Sequence, residues 1–203
     1  MLVAANVAAF AYELSLGAGV EQFVRRWGLV PADVVEGLAA GEPAVVITLL
    51  TCTLLHAGWF HLLTNMLYLA VFGPPVERRL GSLGFSIVYA ASALAGSLAY
   101  LIVQPTSETA AIGASGAIAG IIASHLVLFP GATLGSIAPV LFLRVVETTP
   151  TFLLFLLWLA AQLFISVASL TGSTSTLGWA HVGGFAIGLV VASVLRKWRP
   201  QSY

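Results

Sequence analysis

Long apolar stretches separated by short polar segments dominate this sequence of 203 residues. Such stretches predict membrane-spanning helices, because a helix needs about 20 apolar residues to cross a bilayer. The long connection over residues 19–58 contains an apolar run, Ala44 to Leu55, that is too short to span, which is typical of a partly submerged interfacial loop. The six predicted spans lie near residues 1–18, 59–77, 83–103, 114–129, 150–170 and 178–195.

The composition supports this interpretation and excludes other classes of protein. Apolar residues make up 59% of the chain and charged residues only 8%, whereas about a quarter of a soluble domain is charged. The net charge is zero and no basic stripe is present, so a nucleic-acid partner is not expected. The single cysteine, Cys52, excludes an internal disulfide and a Cys-based zinc cluster. We therefore expect an all-α membrane protein, with a single domain over residues 1–203 that forms a compact bundle of six transmembrane helices.

The distribution of Lys and Arg predicts the orientation of the bundle. With the N-terminus inside, the inner loops and tail carry six of the eight basic residues, and the outer loops carry Arg25 and Arg26. Because basic residues accumulate on the cytoplasmic side, both termini are expected to be cytoplasmic. The inner set comprises Arg78, Arg79, Arg144, Arg196, Lys197 and Arg199.

The fourth stretch is short, and a serine lies at its start. A helix over residues 114–129 is about 24 Å long, less than a hydrocarbon core of ~30 Å, so it is expected to begin below the outer surface. Ser115 lies in its first turn, where unpaired backbone N–H groups and the helix dipole favour a developing oxyanion. A serine among small residues is also typical of helix packing, so both interpretations stay open here.

His181, near the outer end of the sixth stretch, shares one helix face with Gly184 and Gly188. Gly116 and Gly120 form a matching stripe of small residues on the fourth helix, which lets the two backbones approach closely. Because both helices run inward, the histidine and the first-turn serine reach a similar depth. A Ser–His pair is the minimum unit for acyl transfer, and a packing histidine bonded to a carbonyl is the alternative.

Other polar groups are candidates for the same site. His61 and Asn65 are four residues apart on the second helix and can both donate hydrogen bonds to an oxyanion. His56, at the junction of loop and helix, is expected either to hold the loop in place or to act on substrate. Convergence of His56, His61 and His181 on a metal ion is an alternative, but HExxH is absent and no inward carboxylate accompanies them. No metal or other cofactor is therefore expected.

Three further polar residues are expected to be structural. His125 would lie about 15 Å deeper than the serine, too far to serve the same site. Gln162 is expected to form a hydrogen bond across helices, and Glu13 to reach water or a donor in the loop. Neither Glu13 nor Glu108 has a spacing that brings it to His181, so the sequence predicts a dyad without a third member.

Several motifs, taken in order, are similar to those of the rhomboid family of intramembrane serine proteases, and the resemblance covers nearly the whole chain. Residues 56–65 resemble the HxxxxHxxxN segment, and residues 72–82 resemble FGxxxExxxGS. Residues 113–116, which include Gly113, resemble the nucleophile motif GxSG, and residues 180–188 resemble AHxxGxxxG. Residues 158–162 fall in a WxxxQ pattern.

The resemblance implies that Ser115 is the nucleophile and His181 its base. By the same resemblance, the Ser115 N–H, His61 and Asn65 surround the oxyanion. It implies an endopeptidase that cleaves transmembrane segments of membrane-protein substrates, in a multi-pass protein of a prokaryotic cell membrane. An inactive relative that only binds membrane helices is the alternative, and a transporter is disfavoured because no two related halves are visible.

Two positions depart from the family pattern. Ala119 stands where many relatives have an aromatic residue that stacks on the base, so another group is expected to restrain the imidazole. Ile47 and Thr48 stand in the place of a Trp-Arg pair that some relatives have in the first loop. These departures affect loop dynamics and rate, and they leave the reaction class unchanged.

Overall fold

The computed structural model describes residues 1–133, 150–169 and 177–198. Within these residues no sheet strand is present; two isolated bridges join Leu29 to Ala111 and Thr133 to Pro150. The predicted all-α class is therefore confirmed for this part of the chain. The described α-helices are α1 (Leu2–Ser15), α2 (Val20–Trp27), α3 (Pro31–Ala39), α4 (Thr48–Thr51), α5 (Trp59–Val103), α6 (Ser115–Leu128), α7 (Thr151–Ser169) and α8 (Gly178–Trp198).

The long connection folds into short helices that pack against the ends of the bundle. After α1 the chain bends by 115° into residues 17–27, and an ion pair of 2.7 Å then joins Arg25 of α2 to Asp33 of α3. Short 3-10 turns precede and follow α4, at Pro43–Ile47 and Cys52–Leu54. A buried apolar cluster ties this connection to the C-terminal end of α5 and to the segment before α6; it includes Leu29, Val34, Leu49, Cys52, Tyr100 and Ala111.

The predicted spans near residues 59–77 and 83–103 both lie in α5, on either side of a sharp break at Gly81. At Gly81 the backbone has φ 74° and ψ 164°, a conformation that glycine adopts without a Cβ penalty. The two halves of α5 therefore fold back on each other, and the contact between Gly73 and Phe85 shows this. The ring of Phe85 lies 3.7 Å from the position that a methyl group on Gly73 would occupy. Along an unbroken helix these two residues would be about 18 Å apart.

Helix lengths separate clear membrane spans from shorter helices. By length and composition α5 and α8 can cross a membrane, and α1 together with residues 17–27 would be a third span. Each half of α5 is about 33 Å long, whereas α6, with 14 residues, is about 21 Å long. The count of six spans and the orientation stay predictions, and two basic residues of that argument, Arg144 and Arg199, lie outside the described residues.

The central helix is α6, which is enclosed by both halves of α5 and by α8. Most of its side chains are buried, including every residue from Ala117 to His125. The two glycine stripes meet here, with Gly184 against Gly116 and Gly188 against Gly120. A methyl group on Gly184 would lie 2.8 Å from the carbonyl carbon of Gly116, so only hydrogen fits between the two backbones. This close approach brings together the N-terminal ends of α6 and α8.

Candidate active site

Ser115 and His181 meet where α6 and α8 begin. Ser115 is the first residue of α6, and its Oγ lies 2.8 Å from Nε2 of His181. Both side chains are half-buried. The contact between Gly184 and Gly116 lies within one helical turn of both residues, so the packing of the two backbones sets this distance. A hydroxyl that donates to an unprotonated ring nitrogen can pass its proton to that nitrogen when the oxygen attacks a carbonyl.

Helix α7 holds the other side of the His181 ring. Oε1 of Gln162 lies 2.6 Å from Nδ1, so the predicted bond across helices is confirmed. The indole of Trp158 lies beside the ring, with the two centroids 5.6 Å apart and the planes at 43°. Because Trp158 and Gln162 are four residues apart, they share one face of α7. The sequence does not identify this partner of the base, although a polar residue in an apolar helix is a signal of function.

His61 and Asn65 lie on one face of the first half of α5. The backbone N–H of Ala57 donates to Nδ1 of His61 at 3.4 Å, so the neutral ring carries its proton on Nε2. That nitrogen faces Gly113, since a methyl group there would lie 2.6 Å away. Nδ2 of Asn65 donates to the carbonyl of His61 at 3.0 Å and has a second N–H to offer. Two potential donors therefore line the same cavity as Ser115.

Gly113 shapes the turn that leads into α6. Its φ of 121° is a conformation that other residues rarely adopt, and its N–H donates to the carbonyl of Cys52 at 2.9 Å. Cys52 is the other potential nucleophile near this turn. Burial raises the pKa of its thiol to about 11, so at neutral pH it is not a thiolate. Among these groups Ser115 is the one that contacts a base.

His56 lies at the end of the long connection, where it is held from two sides. Its backbone N–H donates to the carboxylate of Glu13, with N–O distances of 3.2 and 3.3 Å, and its Nδ1 lies 3.3 Å from the carbonyl of Leu54. Glu13 thus reaches a loop donor, one of its two expected partners. Burial and the neighbouring His61 lower the pKa of His56 to about 4, so its ring is neutral. This geometry favours a role in holding the loop.

A cavity of about 260 Å³ opens beside the Ser–His pair. Its polar end is formed by Ser115, His181, His61 and Asn65, and most of its wall is apolar. An apolar wall with a few convergent polar groups suits a segment whose side chains are apolar and whose backbone must be oriented. The apolar wall is formed by Tyr68, Ile118, Ala119, Ile122, Phe155, Trp158 and Leu177, and Thr64 completes the lining.

His125 lies apart from this cavity, as its position in the sequence predicts. The ring is buried, edge-on to Phe72 with centroids 5.3 Å apart and 4.9 Å from the ring of Phe129. Its surroundings are those of a packing residue. In the described ranges, no three His, Cys, Asp or Glu side chains are grouped so that they could hold a metal ion.

Comparisons with known proteins cover most of the chain. A family model described as the Rhomboid domain matches residues 43–198. YdcA of Bacillus subtilis (strain 168), whose name marks it as a candidate rhomboid protease, is 40% identical over 89 residues, 43% of this chain and 44% of that protein. RHOMBOID-like protein 12, mitochondrial, of Arabidopsis thaliana is 29% identical over 168 residues, 75% of this chain and 47% of that protein. RHOMBOID-like protein 5 of the same plant is 32% identical over 153 residues, 75% of this chain and 45% of that protein. The chain thus spans less than half the length of these curated relatives.

Proposed function

Because this chain belongs to the rhomboid family and is an integral membrane protein, we propose that it is a serine endopeptidase that cleaves transmembrane segments of other membrane proteins. The observation that carries this proposal is the 2.8 Å contact between Oγ of Ser115 and Nε2 of His181. The contact lies at the start of a helix and at the polar end of an apolar cavity. A nucleophile, a base and a cavity with a largely apolar wall therefore occur together.

In the first half of the reaction, Oγ of Ser115 attacks the carbonyl carbon of the substrate peptide bond while Nε2 of His181 takes the hydroxyl proton. The protonated ring then gives this proton to the leaving amine, and the C–N bond breaks. The first product leaves with a new amino terminus, and the second stays attached to the serine as an ester. Water then attacks the ester with the same ring as its base, which releases the acid product and restores the hydroxyl.

The negative charge on the carbonyl oxygen needs hydrogen-bond donors at the moment of attack. The backbone N–H of Ser115 lies in the first turn of α6, where the helix has no internal partner for it. Nε2–H of His61 and the second N–H of Asn65 are the side-chain donors that line the same cavity. The positive end of the α6 dipole adds to this field. Removing one such donor typically costs about 100- to 1,000-fold in rate.

The surroundings of the site favour a substrate that arrives from the bilayer. The apolar wall between the first half of α5, α6 and α7 can bury the side chains of a transmembrane segment. Part of that segment must unwind, because a carbonyl in an intact helix is shielded by its own turns. We therefore expect membrane proteins with a transmembrane helix as substrates and the lipid bilayer as the medium.

Labelling with a fluorophosphonate probe tests this proposal, because the probe reacts with an activated serine. We expect the purified protein to be labelled and the Ser115→Ala protein not to be labelled. Ser124→Ala is the matched control, since Ser124 is also in α6 but donates to the carbonyls of Gly120 and Gly188, 2.8 and 3.3 Å away. A folded protein that is not labelled, or equal labelling of Ser115→Ala, would favour the alternative of an inactive protein that binds membrane helices.

A further inference from the structure

The contact between Gln162 and His181 has a consequence for the chemistry of the base. We propose that Gln162 is a positioning residue, which holds the proton of the neutral His181 ring on Nδ1 and so keeps Nε2 free to accept the proton of Ser115. This inference rests on the proposed function, and it adds a third member to the predicted dyad.

The geometry places the ring between two hydrogen-bonding partners on different helices. Oε1 of Gln162 in α7 lies 2.6 Å from Nδ1, and Oγ of Ser115 in α6 lies 2.8 Å from Nε2. An amide oxygen only accepts hydrogen bonds, so the short contact requires the proton on Nδ1. The lone pair of Nε2 then points at the hydroxyl. In the other tautomer Nε2 would carry the proton and could not take one from the serine.

The position inside an apolar bundle explains why an amide suits this role. An ionised carboxylate beside the ring would have to be buried among apolar side chains, which is costly in a membrane. The amide of Gln162 supplies the acceptor without a charge. It therefore orients the ring but adds little stabilisation to the positive ring that forms during attack.

Trp158 also contacts the His181 ring. Its indole lies 5.6 Å from the imidazole centroid, on the helix that also carries Gln162. Ala119, which is buried in α6 and lines the same cavity, has no ring that could contact the imidazole. One face of α7 thus supplies both a contact to the ring and a hydrogen bond to its edge.

A residue that merely joins α7 to α8 would act differently. Its loss would lower the thermal stability and leave the ring tautomer and the turnover of the folded protein unchanged. The experiment therefore needs a variant that keeps the length of the side chain and removes the acceptor, which is Gln162→Met. Gln162→Glu keeps an oxygen acceptor at the same place, because a carboxyl group that stays protonated in the apolar bundle still has a carbonyl oxygen that accepts. Ser124→Ala is the control, because it removes a hydrogen bond between α6 and α8 that touches neither side of the ring.

The first measurement is ¹⁵N NMR of protein labelled in its histidine rings. The chain has four histidines, so the His181 signals are assigned by their loss in His181→Ala. We expect the proton on Nδ1 in the wild type, in Gln162→Glu and in Ser124→Ala, and a mixture of tautomers in Gln162→Met. A wild-type ring protonated on Nε2, or an unchanged tautomer in Gln162→Met, would overturn the inference.

The second measurement is the turnover of a transmembrane substrate. For Gln162→Met we expect kcat to fall about 10- to 100-fold at unchanged KM, less than the ~10,000-fold known for loss of a charged orienting carboxylate. Gln162→Glu should recover most of this loss, and Gln162→Met should cost nothing further in a His181→Ala background. Unchanged kcat in Gln162→Met with a lowered Tm would identify Gln162 as a packing residue.

The two measurements separate failure of this inference from failure of the proposed function. Probe labelling of Ser115 with no response of tautomer or kcat to Gln162→Met would overturn the inference and leave the proposed protease intact. A tautomer that responds to Gln162→Met in a protein without labelling or cleavage would uphold the positioning role and overturn the protease.

Discussion

Replacing Gly184 by alanine tests whether the contact between α6 and α8 sets the distance between Ser115 and His181. The added methyl group would lie closest to the carbonyl oxygen of Gly116, at 2.8 Å from the carbonyl carbon of that residue and at 3.1 Å from the carbonyl oxygen of Ser92. Non-bonded carbons rest about 3.5–4.0 Å apart. The neighbouring atoms are backbone and cannot rotate away, so the helices must separate by about 1 Å.

The displacement would change the distance between Ser115 and His181 directly. His181 lies one helical turn before Gly184, and Ser115 immediately precedes Gly116. A separation of about 1 Å would lengthen the contact from 2.8 Å to about 3.8 Å, beyond the range of a hydrogen bond. Because a misplacement of about 1 Å can cost ~100-fold, or ~2.7 kcal/mol of barrier, we expect kcat to fall by about that factor.

The assay measures probe labelling and kcat on the folded fraction, at a temperature below the Tm of the variant. Gly73→Ala is the matched control, because Gly73 also lies at a contact between two helical segments but has room for a methyl group. The nearest atoms would be Cδ1 of Leu69 at 3.5 Å and the ring of Phe85 at 3.7 Å, which are ordinary contacts. We expect Gly73→Ala to keep wild-type kcat within a few-fold. A folded Gly184→Ala protein with wild-type kcat would refute the reasoning.

Further predictions concern the donors, the depth of the site, the pair itself and the orientation. Asn65→Ala should lower kcat by about 100- to 1,000-fold; unchanged turnover would remove this residue from the oxyanion site. His125→Ala should leave the turnover of the folded protein within a few-fold, and a larger loss would contradict a packing role. Ser115→Ala, His181→Ala and the double variant should all show the same residual cleavage, because the two groups serve one step; additive losses would argue against the pair. A periplasmic-type reporter fused to the C-terminus should be silent, and an active reporter would reverse the predicted orientation.

The sequence alone predicted the helical class and the family. A segment that crosses a bilayer must satisfy its backbone hydrogen bonds internally and present apolar side chains. Each span is therefore visible in the sequence as a continuous apolar stretch. The motifs are similarly local, and the match to the Rhomboid domain over residues 43–198 confirms the resemblance. The start of α6 at Ser115 also lies within one residue of the predicted boundary.

Other features depend on how segments distant in the chain pack, and the pattern did not show them. The sharp reversal at Gly81 depends on a single backbone conformation, which the order of apolar stretches along the chain does not show. The anchoring of His56 by Glu13 joins groups that are 43 residues apart. No spacing rule relates such pairs, because only the packing of whole helices brings them together.

The partner of the base shows the same division between sequence and tertiary structure. The sequence by itself determined which residues were candidates, because a polar side chain in an apolar helix is costly and therefore stands out. Only the tertiary structure decided that Gln162 faces Nδ1 and Ser115 faces Nε2. The sequence names a histidine but does not say which of its two ring nitrogens carries the proton. That depends on neighbours supplied by other helices. Their separate environments arise when α6, α7 and α8 pack around the ring.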